Sequence, residues 1–227
     1  IDFVNSNFAM AFYMSTPVWS ASNFSMRHCG NSGSGAFTLT ATAMTDGHVL
    51  FLGNDFASSG IHTYTSNIVT SEFKVIGNTF TAAVNPTMGL SSSTAIYSAN
   101  VFKSLITYTR PYDKSTWLFF NNDVQKSMTV ASTAFTDTFC HFQGNTFTST
   151  SGTSAANFVT SPMSVNTVHF WENNKIDSGP GSAHALYYDS GSTLKPTAHL
   201  KLTGNSASAD FTAYSFHLYQ AGGKLTI

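Results

Sequence analysis

Eleven carboxylates, eight histidines and two cysteines are the side chains of this 227-residue chain that could carry acid–base, metal or thiol chemistry. Hydrolysis of a glycosidic bond needs two carboxyl groups about 5 to 9.5 Å apart, one to protonate the leaving oxygen and one to act as base or nucleophile. A polysaccharide lyase needs clustered acids for Ca²⁺ with a basic residue beside them. The nine Asp and two Glu are scattered instead. No Asp-Asp, Asn-Thr-Asp, Gly-His-Gly or Arg-Ile-Lys run occurs, and Gly47-His48-Val49 is only a fragment of the third. His28, His141 and His169 lack metal-ligand spacing, which reads them as core or face residues and leaves no metal or cofactor expected. Whether any two of these groups meet depends on the elements that carry them.

Those elements follow from a repeat. The phrase apolar, any, apolar, any, small, Asn, any, apolar runs through Val49-Leu50-Phe51-Leu52-Gly53-Asn54-Asp55-Phe56. It returns around Asn78, Asn100, Asn122 and Asn145, with looser copies around Asn31, Asn174 and Asn205. Its first apolar slot falls at 1, 26, 49, 73, 95, 117, 140, 169, 200 and 225, in steps of 22 to 31 residues. That period is too short for a propeller blade and lacks the leucine-rich frame. Ser, Thr, Asn and Gly replace charge throughout, which disfavours helix. The expected fold is all-β: a right-handed parallel β-helix of about nine to ten coils, one domain over residues 1–227. An antiparallel sandwich with Gly-Asn hairpins is the main competitor, but hairpins do not need one apolar pattern at one offset.

In a strand, residues two apart share a face, so Val49 and Phe51, Phe73 and Val75, and Trp117 and Phe119 point inward. The small residue and Asn form a corner in which one of them takes a left-handed backbone. Asn31, Asn54, Asn78, Asn100, Asn122, Asn145, Asn174 and Asn205 then stack as an amide ladder. On this register Asp55 and Asp123 share a column three coils apart, about 14 Å, too far for a catalytic pair. Cys29 and Cys140 are five coils apart, about 24 Å, so they cannot form a disulfide with each other. The chain is expected not to be an enzyme.

Written as Phe-x-x-Asn (Phe51 to Asn54, Phe119 to Asn122, Phe142 to Asn145), the repeat resembles those of large β-helical surface proteins. These are the passenger domains of bacterial polymorphic autotransporters and the dispersed-gene-family surface proteins of kinetoplastid protists. The Gly-Gly-Ala-Ile companion motif of the bacterial group is absent. The resemblance implies extracellular or cell-surface display and adhesion, with glycans or host and cell-surface proteins as partners and no catalytic residues. The wider β-helix superfamily also holds polysaccharide lyases and hydrolases, which makes a carbohydrate-active enzyme the alternative.

Charged residues are 9% of the chain and the net charge is -1, which excludes a basic nucleic-acid-binding surface. No apolar stretch reaches the roughly 18 residues of a membrane-spanning helix, so no direct membrane insertion is expected. Two loop clusters are the candidate binding sites: Tyr108, Arg110, Tyr112 and Asp113, and the Gly179-Pro180-Gly181 coil with His184, Tyr187, Tyr188 and Asp189. Asn23-Phe24-Ser25 is a glycosylation sequon, placed in a loop before the second phrase. A Thr column of the ice-binding kind is not supported, since Thr38-Leu39-Thr40 and Thr63-Tyr64-Thr65 do not recur at one offset. Ile1/Phe3 and Leu225/Ile227 occupy equivalent slots, so the chain is expected to be part of a longer solenoid and, made alone, to self-associate end to end.

Overall fold

A computed structural model describes residues 1–9, 12–31, 37–57, 61–63, 67–131, 134–149, 154–164, 166–179, 184–189, 191–208, 216–218 and 224–226. Among these residues every strand pairing is parallel and no helix occurs, so the chain is an all-β parallel solenoid. The first phrase of each coil builds a ten-stranded sheet, from Asp2–Val4 through Glu72–Ile76 and Val168–Glu172 to Lys224–Thr226. Equivalent slots lie side by side in it: Phe73 between Val49 and Ala95, and Val75 between Phe51 and Tyr97. All six are buried, and their alternation with half-buried neighbours is the period-two signature of a strand with one face on the core.

A corner ends each strand of this sheet. The residue before the ladder position has a left-handed backbone in coil after coil: His28, Gly53, Gly77, Ala99, Asn121, Gly144, Asn173 and Gly204, with φ from +52° to +65°. An L-residue pays about 1–2 kcal/mol there and glycine does not, which explains the glycines that mark the clearest phrases. Past the corner, two- and three-residue strands form a nine-stranded sheet whose inward Phe56, Phe80 and Phe102 stack face to face. The third side begins with two nine-residue strands, Phe12–Ser20 and Phe37–Thr45. Later coils divide that side into short strands of two sheets, among them Tyr112–Asp113 in one and Ile106–Tyr108 and Leu186–Tyr188 in the other.

The amides at the first corner form a hydrogen-bonded stack from Asn54 to Asn205. Asn78 Nδ2 donates to Asn100 Oδ1 at 3.0 Å and to the Phe51 carbonyl at 3.0 Å, while the Asn78 backbone N–H donates to the same Oδ1 at 2.9 Å. The pattern repeats through Asn100, Asn122, Asn145 and Asn174. Asn31 is not in it. The second coil places Phe24 beside Val49 and Met26 beside Phe51, so Cys29 holds the ladder slot and its backbone N–H donates to Asn54 Oδ1 at 2.8 Å. Asn31 instead pairs with Phe56 in the second sheet. Cys29 and Cys140 are both buried free thiols.

A second stack, of hydroxyls, closes the corner before the first sheet. Gly47 N donates to Ser71 Oγ, Ser71 N to Ser93 Oγ and Ser93 N to Ser115 Oγ, at 3.0 to 3.2 Å. Thr138 and Thr167 continue the slot by bonding carbonyls of the preceding coil. Each follows a left-handed residue, such as Thr70, Ser92 or Lys114.

Candidate binding face

The structure takes both loop clusters apart. Tyr108 and Tyr112 are buried core residues, 0% and 1% exposed, whose rings pack edge-on against Trp117 at 4.7 and 5.3 Å. Only Arg110 of that cluster stands exposed, at the turn between the two strands, while Asp113 is half-buried. Tyr188 is likewise in the core, stacked on Phe158 at 4.4 Å and accepting a hydrogen bond from Trp171 Nε1. The neighbouring Tyr187 points the other way and stacks on His184 at 4.9 Å. Asp189 is a turn-former: its Oδ1 accepts from the backbone N–H groups of Thr160, Gly191 and Ser192 and from Ser192 Oγ. Pro180 and Gly181 lie outside the described residues. Tyrosines facing the core cannot meet a ligand on the surface, and this corrects Tyr108, Tyr112 and Tyr188 as binding residues.

Burial pushes the Tyr112 hydroxyl pKa far up, and among the described residues Tyr112 Oη has no hydrogen-bond partner. A buried, unpaired hydroxyl costs about 1–3 kcal/mol of desolvation. Tyr112→Phe is therefore expected to leave the chemical-denaturation midpoint unchanged or raise it. A lowered midpoint would show that the hydroxyl has a partner.

Asp55 and Asp123 do share a column, through Thr79 and Val101, with three coil steps between them. Among the described residues no group of three or more His, Cys, Asp and Glu side chains could hold a metal ion. His28 sits exposed at its corner, His141 faces outward, and His169 is completely buried with Nδ1 2.9 Å from Tyr188 Oη. Burial drops the His169 pKa to about 3, so its imidazole is neutral in the native protein. Asn23 is exposed, but it opens the strand Asn23–Arg27 rather than lying in a loop.

The feature that sequence reasoning missed is the outer surface of the ten-stranded sheet. Slots that should be polar carry Leu50, Leu52, Ile76, Ile96, Leu118, Phe120 and Phe170, all half-buried, and Phe139, which is 40% exposed. The signal was present: Trp117-Leu118-Phe119-Phe120 and His169-Phe170-Trp171 are unbroken rather than alternating runs, which mark strands covered on both faces. His141 stacks on Phe170 at 4.8 Å with planes 8° apart, and Phe120 meets it edge-on at 5.2 Å.

The charges of this outer surface are unevenly partnered. Asp2 bonds Arg27 at 2.5 Å, and that guanidinium holds the Asp2 pKa below the usual carboxylate range. Glu72 pairs with Lys74 at 2.9 Å and lies 3.5 Å from His48, and Glu172 lies 3.2 Å from His141. Lys201 and Lys224, on the same face in the last two strands, make no ion pair among the described residues. No family model matches the chain, and no curated protein or solved structure matches it either.

Proposed function

We infer that this chain is a non-catalytic extracellular or cell-surface β-solenoid that binds a partner through the outer face of its ten-stranded sheet. The observation that carries the reading is the series of half-exposed apolar slots from Leu50 to Phe170 on the outer face of the sheet, interrupted in its central column by Lys74 and His141, since an apolar patch at a protein surface marks a binding site. The Phe-x-x-Asn repeat adds the likeness to autotransporter passengers and kinetoplastid surface proteins. The coil is assigned a right-handed sense because parallel crossovers take that hand in nearly all cases. The separation of Asp55 and Asp123 supports binding without turnover.

Affinity electrophoresis through gels containing neutral and acidic polysaccharides tests the reading, with reducing ends and unsaturated uronates followed in parallel. Retardation without product release is the expected result, lost in Leu118→Asp, whose new negative charge stands in the middle of the stripe. Product release abolished by Asp55→Asn or Asp123→Asn would replace the reading with the carbohydrate-active enzyme. Retardation equal in Leu118→Asp would remove this face from the binding site.

A further inference from the structure

The partner's chemistry can be read from the size of the stripe, the orientation of its rings and its unpaired charge; the argument rests on the binding face just proposed. Six strands carry the stripe, from His48–Leu52 to Val168–Glu172. At about 4.8 Å per strand and about 13 Å across the outward slots it covers about 370 Å². A stable protein interface needs about 800 Å² per partner, so the stripe is too small for a globular protein and suits a narrow, extended chain.

The rings are oriented as well. The 4.8 Å between the His141 and Phe170 centroids matches the spacing of neighbouring strands, and the planes are nearly parallel. The two rings therefore stack along the solenoid axis and stand on edge to the sheet. A ligand lying on the face meets ring edges, which carry the positive rim of the aromatic quadrupole. Phe170 is followed in its column by Lys201, and Val168 by His199 and then Lys224. Of the described carboxylates of the face, Asp2 is paired with Arg27 and Glu72 with Lys74, while Glu172 contacts His141, which is charged only when protonated; Lys201 and Lys224 against this one carboxylate leave a net positive formal charge. It lies at one end of the stripe.

We propose that the outer face of the ten-stranded sheet binds an acidic oligosaccharide, with its C–H surfaces on Ile96 and Leu118, its oxygens toward the ring edges of His141 and Phe170, and its carboxylate or sulfate groups on Lys201 and Lys224. Neither lysine has a described partner to surrender, so neutralising the ligand's charge costs no existing ion pair. The interaction weakens with salt because the ammonium groups are exposed.

The test uses the full chain with oligogalacturonate (carboxylated), a heparin hexasaccharide (sulfated) and maltohexaose (neutral), by calorimetry at low and physiological salt. Binding of one or both acidic sugars and not of maltohexaose is expected, with the preferred acid identifying carboxylate or sulfate as the recognised group. The double variant Lys201→Gln/Lys224→Gln is expected to weaken acidic-sugar binding about tenfold or more, with an unchanged far-ultraviolet spectrum and unfolding midpoint. Equal affinity for maltohexaose, or full affinity in the double variant, overturns the acidic ligand. If neutral sugars bind and Leu118→Asp abolishes that binding, the binding face stands while this inference falls. If no sugar binds and polysaccharide gels show no retardation, both fall.

Discussion

Asn100→Ala is expected to lower the free energy of unfolding by about 3 kcal/mol, whereas Thr79→Ala, in the column of Asp55 and Asp123, should change it by less than about 1 kcal/mol. Asn100 Oδ1 accepts both the backbone N–H and the Nδ2 of Asn78, and its own Nδ2 donates to the Val75 carbonyl and to Asn122 Oδ1. Truncation leaves the Asn78 backbone donor unpaired where the corner is only 1% exposed, at about 1–3 kcal/mol, and takes the amide donor away from the Val75 carbonyl and Asn122 Oδ1, at about 1 kcal/mol for each bond lost. Asn78 Nδ2 keeps the Phe51 and Ile76 carbonyls, which limits the loss. Thr79 is half-buried and makes its ladder bonds through its backbone, which alanine preserves. Urea midpoints with unchanged slopes would measure the difference, and equal midpoints for the two variants would refute the role given to the amide stack.

Acid is expected to destabilise the wild-type chain more steeply than His169→Leu. The folded His169 pKa is lowered to about 3 from an ordinary value of 6.5, because the ring is completely buried against Phe135, Phe142 and Phe158. Above pH 6.5 both folded and unfolded chains hold the ring neutral and its contribution does not vary. Between 6.5 and about 3 the unfolded chain takes up a proton that the folded chain refuses, so stability falls as pH falls, by up to about 1.4 kcal/mol per pH unit. Carboxylates add their own dependence, and the difference between wild type and His169→Leu isolates the histidine. Parallel stability–pH curves for the two between pH 6 and 4 would contradict a neutral buried imidazole.

The repeat was legible because its corner is chemically demanding: a left-handed residue followed by an amide of one length leaves few choices, and Gly53-Asn54, Gly77-Asn78 and Gly144-Asn145 display them openly. The second coil was misread for the same reason. Gly30-Asn31 imitates the corner two residues late, while the true slot holds Cys29, whose backbone alone enters the ladder. The hydroxyl stack escaped notice although Ser71, Ser93, Ser115, Thr138 and Thr167 all sit two residues before the phrase, since lone Ser and Thr are too common to mark a slot. In Tyr108-Thr109-Arg110-Pro111-Tyr112 the charge and proline suggested one loop. The exposed turn is only 109–111, and the tyrosines on either side belong to strands that face inward. The outer apolar stripe was present as unbroken hydrophobic runs, but inward packing alone accounted for half of each run and drew attention from the rest.

The parallel pairing of every described coil also fixes how the molecule answers to force. Backbone hydrogen bonds between coils point along the solenoid axis, so tension applied between its two ends loads the inter-coil contacts in series rather than sharing it among them. Each rung then bears the whole load, and the weakest yields first. A coil of 22 residues, such as the one that begins at Phe73, pays out about 70 Å of chain when it lets go. Stretching turns the solenoid into a reel that lengthens in discrete steps at modest force, while force applied across the axis meets many rungs at once and is resisted by all of them.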